Sequence, residues 1–185
     1  MKKLYDALIE YGKADYVPLH MPGHKRALME FENPYSFDIT EIDGFDNLHH
    51  AEGIITDAER FAATVCQSDE THFLVNGSSC GILSAIFFAS KQGGELIMAR
   101  NCHKADYHAA EMREIKTHYI YPEMPPEGIL GGISVEMVEE AIEKYPEAKT
   151  MILTSPTYDG VISDIKAIVK AAHASGVTVI VDEAH

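Results

Sequence analysis

From about residue 51 onward, short apolar runs alternate with stretches in which apolar residues recur every three or four positions. Runs at 71–75, 95–99, 117–121, 149–154 and 177–181 read as strands, being short, rich in β-branched residues and bounded by turn formers. Between them lie helical patterns. Thr56 and Glu59 resemble a capping box ahead of Phe61, Ala62 and Val65, which predicts a helix to about Cys66. An apolar helix is expected over 79–91, closed by Gly93-Gly94. Ser134 precedes Val135, Val138 and Ala141, and Ser163-Asp164 precede Ile165, Ile168 and Val169, with Gly176 as the stop. Strands alternating with amphipathic helices give right-handed βαβ units, so the fold class is α/β with a mostly parallel sheet. Before residue 51 the pattern is different. A short helix is predicted over 4–11, ending at Gly12, and an irregular stretch rich in Pro, Gly, Asp and His follows; loops that long are usually functional or cover a neighbouring subunit.

Composition narrows the function classes. A chain of 185 residues with 46% apolar and 24% charged content can bury a substantial core. Its formal charge of −14 argues against nucleic acid, because phosphate neutralisation needs clustered Lys and Arg. No apolar stretch is long enough for a signal peptide or a membrane span, so a cytoplasmic location is expected. Cys66, Cys80 and Cys102 are three and widely spaced, which favours reduced thiols over a disulfide framework.

The candidate chemistry gathers at strand ends. Asn76-Gly77-Ser78-Ser79-Cys80-Gly81 opens the helix after the 71–75 run; there, small residues, two hydroxyls and a helix N-terminus suit a phosphate, although Ser in a tight turn is also an ordinary cap. Neither nucleotide phosphate-loop pattern fits it. Asp182 follows an apolar run and is expected at the mouth of a buried strand, where its carboxylate needs a partner: a protonated pyridine nitrogen, a metal, an arginine or a backbone N–H would serve. His103, in Arg100-Asn101-Cys102-His103-Lys104, lies just past the 95–99 strand. In a parallel sheet all three positions converge on the crevice at the carboxyl edge. The segment 154–160, Thr154-Ser155-Pro156-Thr157-Tyr158-Asp159-Gly160, reads either as a plain strand-to-helix loop or as a wall of that crevice. His20, His24, His49 and His50 suggest zinc by composition only; Pro22-Gly23 breaks the one helical spacing, and no metal site is expected.

Together with Pro18-Leu19-His20-Met21-Pro22-Gly23-His24-Lys25 and Asp38-Ile39-Thr40-Glu41, these motifs and Asp182-Glu183-Ala184-His185 resemble the Orn/Lys/Arg decarboxylase family of fold-type I pyridoxal phosphate enzymes, in its shorter bacterial form. The resemblance implies a partial three-layer α/β/α large domain over 51–185, without its C-terminal part or the family's C-terminal domain, preceded at 1–50 by a helix and an extended active-site and dimer segment. It implies pyridoxal 5′-phosphate as cofactor, with Gly77, Ser78 and Ser79 at the phosphate, His103 stacked on the pyridine ring, Asp182 paired with the ring nitrogen and His185 beside the ring. A basic amino acid would be the substrate, decarboxylated by a cytoplasmic homodimer or higher homo-oligomer. The family's Schiff-base lysine lies well beyond the aspartate, in a Ser-x-His-Lys segment absent from these 185 residues; Lys104 is not that lysine. The chain therefore reads as the first part of a decarboxylase, inactive by itself, with the 71–75 strand exposed, displaced or paired elsewhere for want of its sheet neighbours. Two other functions remain open: a different fold-type I reaction, lyase or aminotransferase, and a catalytically dead cofactor-binding or interaction module.

Overall fold

A computed structural model describes residues 4–17, 33–125 and 128–184. The chain divides into two compact units, Met1–Cys66 and Gln67–His185. In the first, α1 (Leu4–Lys13) runs through Gly12 instead of ending there, and α2 (Ile54–Cys66) starts two residues ahead of Thr56. The reason for that earlier start is Asp46. Held in the left-handed region at φ 67°, it turns its carboxylate onto the backbone N–H groups of Asn47, Glu52, Gly53 and Ile55, at 2.9 to 3.1 Å. A side chain eight residues upstream of Ile54 thus caps the helix, and Thr56 and Glu59 lie within it.

The second unit carries the sheet: β1 (Glu95–Ala99), β2 (Lys116–Ile120), β3 (Thr150–Thr154) and β4 (Thr178–Asp182), all parallel, in the order β2-β1-β3-β4. Four helices, α3 (Gly77–Ala89), α4 (Lys104–Met112), α5 (Val135–Lys144) and α6 (Ile165–Ala174), cover it. Alternation along the strands decides which helix packs where. Leu96, Met98 and Ile152 point to the face covered by Ile82 and Ile86 of α3 and Ala105, Ala109 and Ala110 of α4. Ile97, Ala99, Met151 and Leu153 point to the other, against Val138 and Ala141 of α5 and Ile168 and Ala172 of α6. The result is the three-layer α/β/α arrangement.

Caps fix the helices. Ser134 Oγ accepts from Met137 N at 3.3 Å, Asp164 Oδ1 from Ala167 N at 3.0 Å, and Gly176 takes φ +70° after α6. Two expectations change. The 71–75 segment takes no place in the sheet; Phe73, Leu74 and Val75 stay 46 to 50% exposed, because none of the described strands runs beside them to complete a ladder. β4 is an edge strand, half-buried at Val179, Ile180 and Val181, where the sequence suggested a fully buried one.

Candidate active site

Because all four strands are parallel, their carboxyl ends share one edge, and the βα connections after β1 and β3 start there. Asp182 is the last residue of β4, in register with Thr154 of β3 and only 6% exposed. Its Oδ1 accepts from Ala184 N at 3.1 Å, while its backbone carbonyl accepts from Ser155 N at 3.1 Å, which ties the two strand ends together.

Across from β4 stands the start of α3. Asn76 and Gly77 both take positive φ, 65° and 68°, to turn the chain into the helix, and Asn76 makes no side-chain cap. The first N–H groups of α3 thus lack the partner a cap would give, and open space surrounds Gly77 where a Cβ would sit. This is the local form of an anion cradle. Ser78, Gly81 and Ile82 of α3 and Val181, Asp182 and Ala184 line one cleft of about 340 Å³. Leu74 closes its other side, approaching Gly81 so nearly that a Cβ there would stand 2.7 Å from Leu74 Cδ1. Ser78 and Asp182 are therefore brought together; Ser79 and His103 do not line this cleft, and His185 lies outside the described residues, as do His20, Pro22, Gly23, His24 and Lys25.

His103 is exposed and caps α4, its Nδ1 accepting from Ala105 N at 3.2 Å. An N–H donor at Nδ1 leaves the proton of the neutral ring on Nε2 and holds the ring at the carboxyl edge. Arg100, just after β1, braces the same connection: its guanidinium donates to Tyr107 Oη at 2.7 Å and lies over the Tyr107 and Tyr119 rings, while Tyr107 Oη donates back to the Arg100 carbonyl at 2.7 Å. Two hydroxyls of the 154–160 segment brace their own connection. Ser155 Oγ accepts from Ser163 N at 3.0 Å and Thr157 Oγ1 from Val161 N at 3.1 Å, and both residues are buried.

Behind this edge lies a group that the sequence did not single out. Asp106, in the first turn of α4, is fully buried, and neither carboxyl oxygen has a hydrogen-bond partner among the described residues. Burial first, and the charge of Asp182 second, push it up to about 7. Cys102, whose Sγ is 3.8 Å from the Ile152 carbonyl, is pushed up to about 12, again by burial first, with the charges of Asp106 and Asp182 acting the same way. Asp106 follows His103-Lys104-Ala105 in a stretch with no apolar run, so nothing local in the sequence marks it as buried.

Comparison with known proteins decides the family. Residues 2–185 match the family described as Orn/Lys/Arg decarboxylase, major domain. The chain belongs to this family. Within it, the decarboxylase-family chain is 36% identical to an arginine decarboxylase of Halalkalibacterium halodurans over 191 residues, covering 98% of this chain and 39% of that one. It thus spans about two fifths of that relative's length. The fold is likewise that of solved members and cousins. The constitutive lysine decarboxylase of E. coli superposes with a TM-score of 0.60 at 24% identity, over 71% of this chain and 20% of that one. A pyridoxal phosphate-bound C–S lyase of Staphylococcus hominis superposes at 0.50 and 17% identity, over 58% and 28%. Such likeness establishes the fold-type I architecture for the Orn/Lys/Arg decarboxylase-family chain.

Proposed function

We propose that the protein binds pyridoxal 5′-phosphate in the cleft between α3 and β4 and decarboxylates a basic amino acid: arginine, lysine or ornithine. One observation carries the reading: an anion cradle at Ser78 and a buried carboxylate at Asp182 face each other across a single cleft. The residues suit the cofactor at both of its ends. The first N–H groups of α3, with the Ser78 and Ser79 hydroxyls, would hold the phosphate; small residues there let the backbone approach it. Asp182 would hold a proton at the ring nitrogen, as a buried acid does best with a cationic partner. His103, its ring fixed by the Nδ1 bond to Ala105, would cover the ring's face. Bound there, the cofactor supplies an electron sink for the pair left behind when the substrate's carboxylate departs as CO₂. The protein's own share is to orient that scissile bond and keep water from the ring. The family match and the named relatives support decarboxylation over the lyase and aminotransferase alternatives.

The 185 residues taken by themselves are proposed to release no CO₂, because the described lining of the cleft carries no lysine to hold the cofactor covalently. The assembled enzyme is proposed to act as a homodimer or larger homo-oligomer, as the family resemblance implies. The deciding experiment supplies the protein with pyridoxal phosphate and each of the three amino acids, and measures CO₂. Release from one of them, lost in Ser78→Ala together with cofactor affinity, is expected of the complete enzyme. Release by the 185 residues alone would contradict the covalent argument; none by the complete enzyme would contradict the activity.

A further inference from the structure

His103 lies between Arg100 and Tyr107 in a stretch of chain that one hydroxyl closes. Tyr107 Oη donates its proton to the Arg100 carbonyl at 2.7 Å and accepts from Arg100 Nη1, also at 2.7 Å. Main chain and side chain of Arg100 thus end on the same atom, which a hydroxyl, with one proton and two lone pairs, can satisfy at once. The guanidinium lies 5.2 Å from the centre of the Tyr107 ring and 5.5 Å from that of Tyr119, and the two rings stack at 6.0 Å. Both tyrosines pack on the core beneath α4, and Arg100 N donates to the Ile120 carbonyl of β2 at 2.8 Å. An exposed arginine ordinarily keeps many rotamers, and holding this one costs conformational entropy. Starting α4 does not require it, because His103 Nδ1 already takes the Ala105 N–H. What the clasp does fix is the path of 100–107. With Cys102 N on the Ala99 carbonyl at 3.1 Å, the backbone is held on both sides of His103.

Resting on the cofactor reading above, we propose that Arg100 and Tyr107 are positioning residues: their clasp fixes the backbone around His103, so that the imidazole is held at the carboxyl edge before the cofactor arrives. The benefit is preorganisation. A loop that is ordered only on binding takes its ordering cost out of the affinity, whereas a loop closed beforehand does not. The clasp touches the cofactor nowhere in this account and acts only through His103, so its effect disappears when the imidazole is removed.

The test uses pyridoxal phosphate as the probe. Equilibrium titration measures its affinity for the wild type, Tyr107→Phe, Arg100→Gln, His103→Ala and the double variant Tyr107→Phe/His103→Ala; circular dichroism in the cofactor's absorption band reports how the bound ring is held. Tyr107→Phe keeps the ring and its stack and removes only the hydroxyl, so it remains informative even if Arg100→Gln does not fold. With His103 present, Tyr107→Phe is expected to weaken binding roughly three- to tenfold, the cost of ordering one side chain on binding, and to change the cofactor's dichroism. With His103 replaced, the same substitution is expected to change neither. A purely structural role would not depend on His103. If Tyr107→Phe weakens binding by the same factor in the His103→Ala background, or leaves wild-type affinity and dichroism unchanged, this inference falls and the cofactor site stands. If His103→Ala itself binds as tightly as the wild type, the place given to His103 in the cofactor reading falls and takes this inference with it.

Discussion

Two aspartates are buried among the described residues, Asp182 at the end of β4 and Asp106 in the first turn of α4. Asp182 announces itself in sequence by closing an apolar run, and the structure buries it at the carboxyl edge beside the cradle of α3. Asp106 does not, because its burial follows from how α4 lies on the sheet, which no local pattern encodes. Its raised value has a consequence for stability. From an ordinary 3.8 it moves up to about 7, so between those values the folded chain holds a proton that the unfolded chain has lost. Stability therefore falls as pH rises from about 4 to about 7. Asp106→Asn should flatten that slope, leaving the variant relatively more stable at pH 8 than at pH 4; thermal melts at the two values check it, and an unchanged slope would contradict the burial argument. Cys102 gives a second prediction at this scale. With its thiol pushed up to about 12 it should resist iodoacetamide at pH 8, while exposed Cys66 reacts. Peptide mapping after a short pulse would show Cys66 labelled first.

At the scale of elements, what was readable depended on where hydrogen bonds close. β1 was read to the residue because a strand buried on both faces is a continuous apolar run with turns at its ends. The helices α5 and α6 carry their own caps in Ser134 and Asp164, so their starts were legible too. The 71–75 run has the composition of a strand, but a strand is a relation between neighbours, and composition cannot supply the neighbour. The start of α2 is not legible for the same kind of reason, its cap lying eight residues upstream at a left-handed Asp46. Four backbone N–H groups, led by those of Glu52 and Asn47, push Asp46 down to about 2. Its folded value lies below the ordinary 3.8, so its contribution is complete above about 4 and is lost as pH falls towards 2. Protection factors of the 52–55 amides should fall across that window, and Asp46→Ala should show the lower protection already at pH 6. Protection unchanged in Asp46→Ala would rule out the cap.

At the scale of the molecule, the order β2-β1-β3-β4, with α3 and α4 on one face and α5 and α6 on the other, brings three chemically suggestive positions to one sheet edge. The α/β class and the direction of the strands were legible, because alternating periods leave few other topologies. The depth of the site is not: that Ser78 and Asp182 share a cleft, that His103 stands outside its lining, and that Asp106 is fully buried all depend on packing between distant segments. The chain spans 39% of the arginine decarboxylase it matches. Among these positions Asp182 is proposed to matter most, by holding a proton on the cofactor's ring nitrogen. Nitrogen-15 NMR of ring-labelled pyridoxal phosphate bound to the protein tests it most directly. A protonated ring nitrogen is expected in the wild type and an unprotonated one in Asp182→Asn at the same pH; a nitrogen still protonated in Asp182→Asn would rule out the role proposed for Asp182.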